Sequence, residues 1–226
     1  MTAVRTLILG AGYVATFFTV GLERLKKGEI KPYGVPLADF DIGVGIDDIK
    51  VIACVDVDAR KVGKTMYDVA KRFYKLKNVP VVLKDVVVYP GVEMGFVKDL
   101  FPINSLDYGG DFQRSVEEMY AFIERAKPDV IVDVTTTQYS KPFNGYRRLE
   151  KAVKEGKVTP TQLYAYLALR LMEEGGQLAY VNLIPTPIAN DYAYISVARK
   201  FGALILGDDG ATGATPFTAD ILEHLK

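Results

Sequence analysis

The residues best suited to chemistry lie within the first fifteen positions, where a glycine-rich turn separates an apolar run from an amphipathic stretch. Residues 10–15 read G-x-G-x-x-A and directly follow the apolar run 4–9. Between a strand and a helix, this spacing is typical of a turn that binds the pyrophosphate of a dinucleotide. Gly10 permits the tight turn, Gly12 leaves room for the phosphates, and the helix N-terminus offers free N–H groups. A plain strand–helix turn is the alternative interpretation.

An acidic pair follows the second apolar run, 49–56. A carboxylate at the end of this strand commonly accepts hydrogen bonds from the ribose hydroxyls of the adenosine. Asp56 closes the run and is expected in that role, whereas Asp58 is better suited to cap a helix. The Asp56 carboxylate favours NAD over NADP. Arg60 and Lys61 are close enough to accommodate a 2′-phosphate, so NADP is not excluded.

Polar residues also follow two later apolar runs. Thr135, Thr136 and Thr137 come at the end of the run 130–134, and Asn182 ends another run. The hydroxyls could bond a ribose or the nicotinamide amide, although threonines also suit a strand end. Asn182 could contact cofactor or substrate, or simply form a turn.

A second glycine-rich loop spans residues 207–216 and precedes the start of a predicted helix. Such a loop can present backbone N–H groups to an anion, which favours a phosphorylated substrate beside the dinucleotide. Asp208 and Asp209 could instead hold a cation or a ribose hydroxyl.

These motifs require a framework of alternating strands and helices. The apolar patterns predict the following elements: strands at 4–9, 49–56, 81–89, 130–134, 177–183 and 203–206, and helices at 13–26, 59–76, 112–126, 160–174, 191–201 and from about 216. An inserted loop at about 28–48 accounts for the long interval between the two cofactor motifs. The order predicts an α/β fold with a doubly wound parallel sheet, forming one Rossmann-like NAD-binding domain over residues 1–226.

Composition limits the classes of function. The chain has 226 residues, 49% hydrophobic and 25% charged, with 28 basic and 28 acidic side chains. We therefore expect no nucleic-acid or membrane partner and a cytoplasmic protein. The single cysteine, Cys54, is expected to be a buried, inert thiol, and the single histidine, His224, argues against a histidine-based triad or metal site.

The sequence resembles the inositol-3-phosphate synthase family, especially its archaeal and bacterial branch. The similar segments are LILGAGYVATF, IKVIACVDVDARKVGK, PDVIVDVTTT, AYVNLIPTPIAND and GDDGATGATPFTADIL, of which the last two are the most specific. The resemblance implies an NAD-dependent isomerase of inositol and phospholipid biosynthesis. Its substrate would be D-glucose 6-phosphate, which is oxidised at C5, closed between C6 and C1 by an aldol step, and reduced again to 1D-myo-inositol 3-phosphate.

The resemblance also implies roles for individual residues. Pyrophosphate would be held by Gly10, Ala11, Gly12, Tyr13 and Val14. The adenosine ribose would be held by Asp56, and the reactive end of the cofactor and the substrate by Thr135, Thr136, Thr137, Asn182, Asp209 and Thr212. A divalent or monovalent cation remains open as a further cofactor, and no metal ligand can be named.

Two departures from the family pattern shape the expected function. Gly210 stands where many members have a lysine, and the family chain continues into a second domain that builds a tetramer and supplies the catalytic lysines. We therefore expect this chain to be the NAD-binding part, inactive alone, with its catalytic groups beyond residue 226. Two alternatives remain: a simple NAD-dependent sugar-phosphate dehydrogenase, and a non-catalytic NAD-binding subunit that needs a partner chain.

Overall fold

The computed structural model describes residues 3–33, 35, 37–38, 40–97, 100–210, 221–222 and 224. Most of the helix predicted from about residue 216 lies outside these residues, as does Thr212. Within them, the chain forms a parallel sheet with helices on both faces.

The sheet contains six strands among the described residues, all parallel. They are β1 Val4–Leu9, β2 Ile49–Asp56, β3 Val88–Pro90, β4 Val130–Asp133, β5 Ala179–Asn182 and β6 Leu204–Leu206. Their order is β3-β2-β1-β4-β5-β6, with every neighbouring pair parallel. This is the doubly wound order of a Rossmann-like fold, whose chain reverses direction across the sheet beside β1. The predicted fold class is confirmed.

The helices cover both faces of this sheet. They are α1 Tyr13–Lys26, α2 Met66–Asp68, α3 Phe112–Ala126, α4 Tyr146–Lys154, α5 Pro160–Glu173 and α6 Tyr192–Phe201. Alternation along β1 separates two cores: Leu7 and Leu9 pack with α3, α5 and α6, whereas Ile8 packs with α1 and α2. Cys54 lies in the second core and is fully buried, and burial raises the pKa of its thiol far above the ordinary value.

Side-chain caps explain where several helices begin. The Thr159 hydroxyl accepts a hydrogen bond from the Gln162 N–H at 3.2 Å, and the Gln162 side chain accepts one from the Thr159 N–H at 3.0 Å. This reciprocal box, with Pro160 at the first helical position, starts α5. Asp111 and Asp191 cap α3 and α6 in a similar way. These contacts fix the helices that flank the carboxyl edge of the sheet.

The helix predicted over 59–76 is wrong for most of its length. Only Met66–Asp68 is α-helical, and it continues into a π-helical turn, Val69–Phe73. The preceding backbone is used elsewhere, because Gly63 N–H donates to Val88 O at 2.8 Å and Met66 N–H donates to Val86 O at 2.7 Å. The backbone of this segment therefore bonds to residues 86–88 and does not form the local helix that the apolar spacing predicted.

The strand predicted over 81–89 is also wrong at its start. Residues Val81–Asp85 form a 3-10 helix, and only Val88–Pro90 joins the sheet. Pro80 begins the 3-10 turn, and Leu83 alone within it is fully buried. The predicted loop between α1 and β2 contains no strand among its described residues and ends in the short 3-10 helix Ile46–Asp48.

Candidate functional site

A cavity of about 130 Å³ opens at the carboxyl edge of the sheet, beside the ends of β1, β2 and β4. The register places these ends side by side, because Leu9 pairs with Val55 on one side and with Asp133 on the other. The cavity wall includes the predicted residues Gly10, Gly12, Asp56, Thr135 and Thr136. Their shared location is where ligands bind in open α/β sheets.

The glycine turn is shaped as the motif requires. Gly10 has a φ of +94°, and a Cβ there would lie 2.8 Å from the Val134 carbonyl oxygen. A Cβ on Gly12 would meet no heavy atom within 4 Å, so the space in front of this glycine is open. Ala11 is fully buried, and its N–H donates to an Asp56 carboxylate oxygen at 2.8 Å. The turn is therefore tightly held behind and open in front.

The N-terminus of α1 faces this open space. Gly12 is the N-cap, and no side chain caps the helix. The first backbone bond of the helix runs from Thr16 N–H to Gly12 O at 3.0 Å, which leaves the N–H groups of residues 13–15 without an intrahelical acceptor. Tyr13 and Val14 are exposed and their side chains do not line the cavity. Any contribution they make to phosphate binding would come from the backbone.

Asp56 lines the cavity, but protein donors already occupy its carboxylate. One oxygen accepts from the Ala11 N–H and, at 3.3 Å, from the Lys61 ammonium. The other accepts from the N–H groups of Val57 at 2.7 Å and Asp58 at 2.9 Å. The carboxylate thus ties the glycine turn to the end of β2. Its predicted bond to a ribose would have to be shared with these contacts, and that role stays a prediction.

A cationic pair follows Asp56 in the chain. Arg60 donates to Asp58 from Nε at 2.8 Å and from Nη2 at 2.7 Å, while its guanidinium lies 5.0 Å from the centre of the Phe73 ring. Burial opposes ionisation of Asp58, but the Arg60 hydrogen bonds and the Lys61 charge outweigh it and lower the Asp58 pKa. Lys61 lines the cavity, whereas Arg60 does not. Asp58 caps a turn here, because the predicted helix is absent.

A buried polar network lies under the threonines that follow β4. Thr135 donates to a carboxylate oxygen of Asp133 from its hydroxyl at 2.7 Å and from its N–H at 2.9 Å. The other oxygen accepts from the Tyr180 hydroxyl at 2.8 Å. Asp133 is fully buried, and this burial raises its pKa although the hydrogen bonds partly oppose the shift. The network fixes the orientation of Thr135, whereas Thr137 is exposed and does not line the cavity.

The Asn182 side chain is used inside the fold. It is fully buried, and its amide N–H groups donate to Thr186 O at 2.7 Å and to Asp208 at 2.8 Å. The Asp208 carboxylate also accepts from the backbone of residues 188–190. These contacts correspond to the turn-forming alternative. Asp209 is exposed and lies outside the cavity wall, and residues 211–216 of the second glycine-rich loop lie outside the described residues.

Sequence patterns did not single out several residues of the cavity wall. They are Glu93, Phe96, Phe101, Gln138 and Tyr164. Most come from the irregular segment after β3 or from the buried side of α5, where neither a glycine motif nor a strand end marks them. Gly91 lies beside them, and a Cβ there would overlap the Tyr164 hydroxyl and the Val55 side chain, but this close approach is seen only in the folded structure.

The sheet order and the glycine turn define an α/β protein with a Rossmann-like fold. The sequence is 42% identical to a myo-inositol-1-phosphate synthase-related protein from Thermotoga maritima MSB8, with a TM-score of 0.90. The match covers 99% of this chain and 59% of that chain. The chain belongs to this family of inositol-phosphate synthase-related proteins, and the resemblance inferred from the sequence is confirmed.

Other comparisons add less. The crystal structure of Ari2 has a TM-score of 0.65 at 19% identity, covers 99% of this chain and 58% of its own, and shows likeness of fold alone. No protein-family model matches the sequence, and no curated protein does. Among the described residues, no helix has the length and apolar character needed to cross a bilayer, and no group of three or more His, Cys, Asp or Glu side chains is placed to hold a metal ion.

Proposed function

We propose that this chain binds NAD at the glycine turn and forms the cofactor-binding part of an inositol-3-phosphate synthase. The observation that carries the proposal is the uncapped N-terminus of α1, which faces an open space in front of Gly12 at the carboxyl edge of the sheet. The 42% identity to a synthase-related protein supports the reaction class. The chain spans 59% of that protein's length, so the activity of the complete enzyme is likewise proposed.

The residues present fit a dinucleotide. Gly10 and Gly12 remove side chains where a pyrophosphate would approach, and the helix N-terminus supplies N–H donors and a favourable dipole. Bound NAD would accept a hydride from the sugar and return it, so the overall reaction has no net redox change. Within the described residues, the protein's own part is to orient the cofactor: Asp56 fixes the glycine turn, and Asp133 fixes Thr135 beside the cavity.

The cofactor proposal is tested by titrating NAD into the purified protein and into Gly12→Val. A branched side chain at Gly12 would fill the space in front of the helix, so we expect affinity to fall at least tenfold while the melting temperature changes little. Gly28→Val, in a turn after α1, is unsuitable as a control because its φ is +65°; Gly21→Ala, with open space around it inside α1, serves instead. Equal NAD affinity in wild type and Gly12→Val would refute the site.

The reaction is tested by incubating the protein with NAD and glucose 6-phosphate and measuring both inositol phosphate and NADH. Inositol phosphate without accumulating NADH supports the synthase. NADH formed in proportion to oxidised sugar would identify a dehydrogenase instead. NAD binding with neither product agrees with a cofactor-binding part that needs further catalytic groups. Formation of inositol phosphate after addition of the remainder of a synthase-related protein would then separate it from the binding-subunit alternative.

A further inference from the structure

A nearly buried carboxylate in the cavity wall has little protein to bind. The Glu93 residue is only 6% exposed, and it lines the cavity. Among the described residues, its carboxylate accepts one hydrogen bond, from the Val97 N–H to Oε2 at 3.3 Å. No lysine or arginine of the described residues lies within ion-pair distance of it. Buried carboxylates are normally paired or well hydrogen-bonded, so Oε1 is available to a donor inside the cavity, water in the free protein or a ligand when one is bound.

Several apolar residues line the same cavity as this carboxylate. They include Val57, Val92, Phe96, Val97 and Phe101. The whole cavity, which also includes the glycine turn and Thr135, has a volume of about 130 Å³, well below the roughly 300 Å³ or more of a pocket for a whole ligand. The part beside Glu93 therefore suits no more than one ring system of a larger molecule. A mostly apolar lining with a small number of placed polar groups is the usual way to bind a ligand in a fixed orientation.

The place of this subsite in the fold indicates which ring. It lies on the β2–β3 side of the glycine turn, because the segment with Glu93 follows β3 and the wall also contains Asp56 at the end of β2. In doubly wound sheets the adenosine ribose lies at the end of the second strand. The ring attached to that ribose would therefore lie next to Glu93.

The segment that carries Glu93 is held rigidly. Asp107 accepts from the N–H groups of Glu93 at 2.9 Å and Met94 at 2.7 Å. The Val92 N–H donates to the buried Tyr164 hydroxyl at 2.9 Å. A fixed backbone on both sides limits the positions that the carboxylate can take, so little ordering remains to be done on binding.

We propose that Glu93 recognises the adenine base by accepting a hydrogen bond from its exocyclic amino group. The inference rests on the proposed dinucleotide site and adds a base-specificity residue to it. A purine with a carbonyl at the same position would place an oxygen against the carboxylate and lose the hydrogen bond. The cavity should therefore discriminate between amino and oxo purines.

The test compares NAD with nicotinamide hypoxanthine dinucleotide, which differs at that substituent. Calorimetric titration of wild type should show NAD bound about tenfold to a hundredfold more tightly, as expected when a hydrogen bond to a charged group is lost. Glu93→Gln, whose amide can donate to a carbonyl, should bring the ratio near one or invert it. Glu124→Gln, on the exposed face of α3, is the matched control and should keep the wild-type ratio.

Each outcome has a distinct meaning. Equal affinity of wild type for the two dinucleotides overturns the role of Glu93 and leaves the dinucleotide site standing. An unchanged ratio in a folded Glu93→Gln overturns it as well. If wild type binds neither compound, both the proposed cofactor site and the inference fail. If Glu93→Gln does not fold, 1,N6-etheno-NAD, whose amino group is blocked, replaces it: wild-type affinity equal to that for NAD refutes the inference, and a loss of tenfold or more supports it.

Discussion

The polar side chains at the two halves of the sheet differ in whether a ligand could reach them. On the β1–β2–β3 side, Asp56 and Lys61 form an ion pair in the wall of an open cavity, and Asp58 pairs with Arg60 outside that wall. On the β5–β6 side, Asn182 and Asp208 bond mainly to one another, to the Thr186 carbonyl oxygen and to backbone N–H groups. The first half keeps polar groups at a surface that a ligand can reach, whereas the second uses them to hold a turn. The side proposed to bind the adenosine is thus the better-formed part of the candidate site.

Exposure of apolar side chains follows the same division. The edge strand β6 exposes 62% of Leu204 and 53% of Leu206, although both belong to the sheet. On the other edge, Val88 of β3 is fully buried. Among the described residues, β6 is therefore the more exposed edge strand, although Tyr89 of β3 is also 40% exposed.

The largest expected effect is at the glycine turn. Gly10→Ala would place a Cβ 2.8 Å from the Val134 carbonyl oxygen in a residue with a φ of +94°. Strain and overlap together should lower the free energy of unfolding by about 2–5 kcal/mol, measured by urea denaturation. Gly12→Ala is the control, because its Cβ would enter open space.

The matched pair separates folding from binding. Gly12→Ala should change the free energy of unfolding by no more than about 1 kcal/mol, given the usual cost of exposed substitutions and the loss of a glycine N-cap. The same substitution should weaken the binding of NAD. If Gly10→Ala is as stable as wild type, the turn is more adaptable than its geometry indicates, and the contrast between a rigid and an open side of the turn is wrong.

How much of this could be predicted from sequence depends on where each backbone finds its hydrogen bonds. The predicted bounds of β1, α1, β2 and α3 match those in the structure. In these elements the spacing of apolar residues corresponds to the secondary structure that the backbone forms. The segment 59–76 failed because its backbone bonds to residues 86–88, which no local period reveals. The α4 helix, Tyr146–Lys154, was missed although its buried residues Leu149, Ala152 and Val153 have helical spacing.

Site prediction shows the same limit. Gly10, Gly12, Asp56 and the first two threonines reach the cavity, because strand ends and glycine turns carry local signals. Glu93 and Tyr164 come together only through the tertiary fold, so sequence could not pair them. Asn182 had the right strand end, yet its hydrogen bonds depend on Asp208, which lies 26 residues later.

The second prediction contrasts two carboxyl groups by their response to pH. Burial raises the pKa of Asp133, so the folded state holds a proton that the unfolded state has lost above about pH 4. Its contribution to stability is therefore greatest at low pH and declines as pH rises through the folded pKa. Asp133→Asn removes this dependence, so its destabilisation relative to wild type should shrink as pH rises above about 4 and through the raised pKa of Asp133.

Asp58 should show the opposite sign. Its folded pKa is lowered, so its stabilisation is present above the unfolded pKa near 4 and is lost as pH falls through the folded value. Asp58→Asn should therefore be most destabilising near neutral pH. Urea denaturation of both variants across the pH range measures the two slopes, and parallel profiles for the two variants would contradict the assigned environments.

The smallest expected effect concerns cofactor choice. Lys61 lies 3.3 Å from Asp56, and Asp56, Asp58, Arg60 and Lys61 together carry no net charge. A 2′-phosphate would therefore meet a neutralised carboxylate, so we expect wild type to favour NAD over NADP only modestly. Lys61→Met leaves the Asp56 charge without its cation and should lower the affinity for NADP by roughly tenfold, the scale of one nearby charge in a partly screened site. The affinity for NAD should change less.

Arg60→Met provides the comparison for this prediction, because Arg60 is held by Asp58 and does not line the cavity. Its effect on the NADP-to-NAD affinity ratio should be less than that of Lys61→Met, and fluorescence titration with the two reduced cofactors measures both ratios. Asp56→Asn should shift the ratio in the opposite direction, toward NADP. If Arg60→Met has the larger effect, the 2′ position faces the exposed guanidinium, and Asp56 does not set the cofactor preference. If none of the three variants changes the NADP-to-NAD affinity ratio, the charged residues at the end of β2 stabilise the fold and do not recognise the 2′ substituent of the ribose.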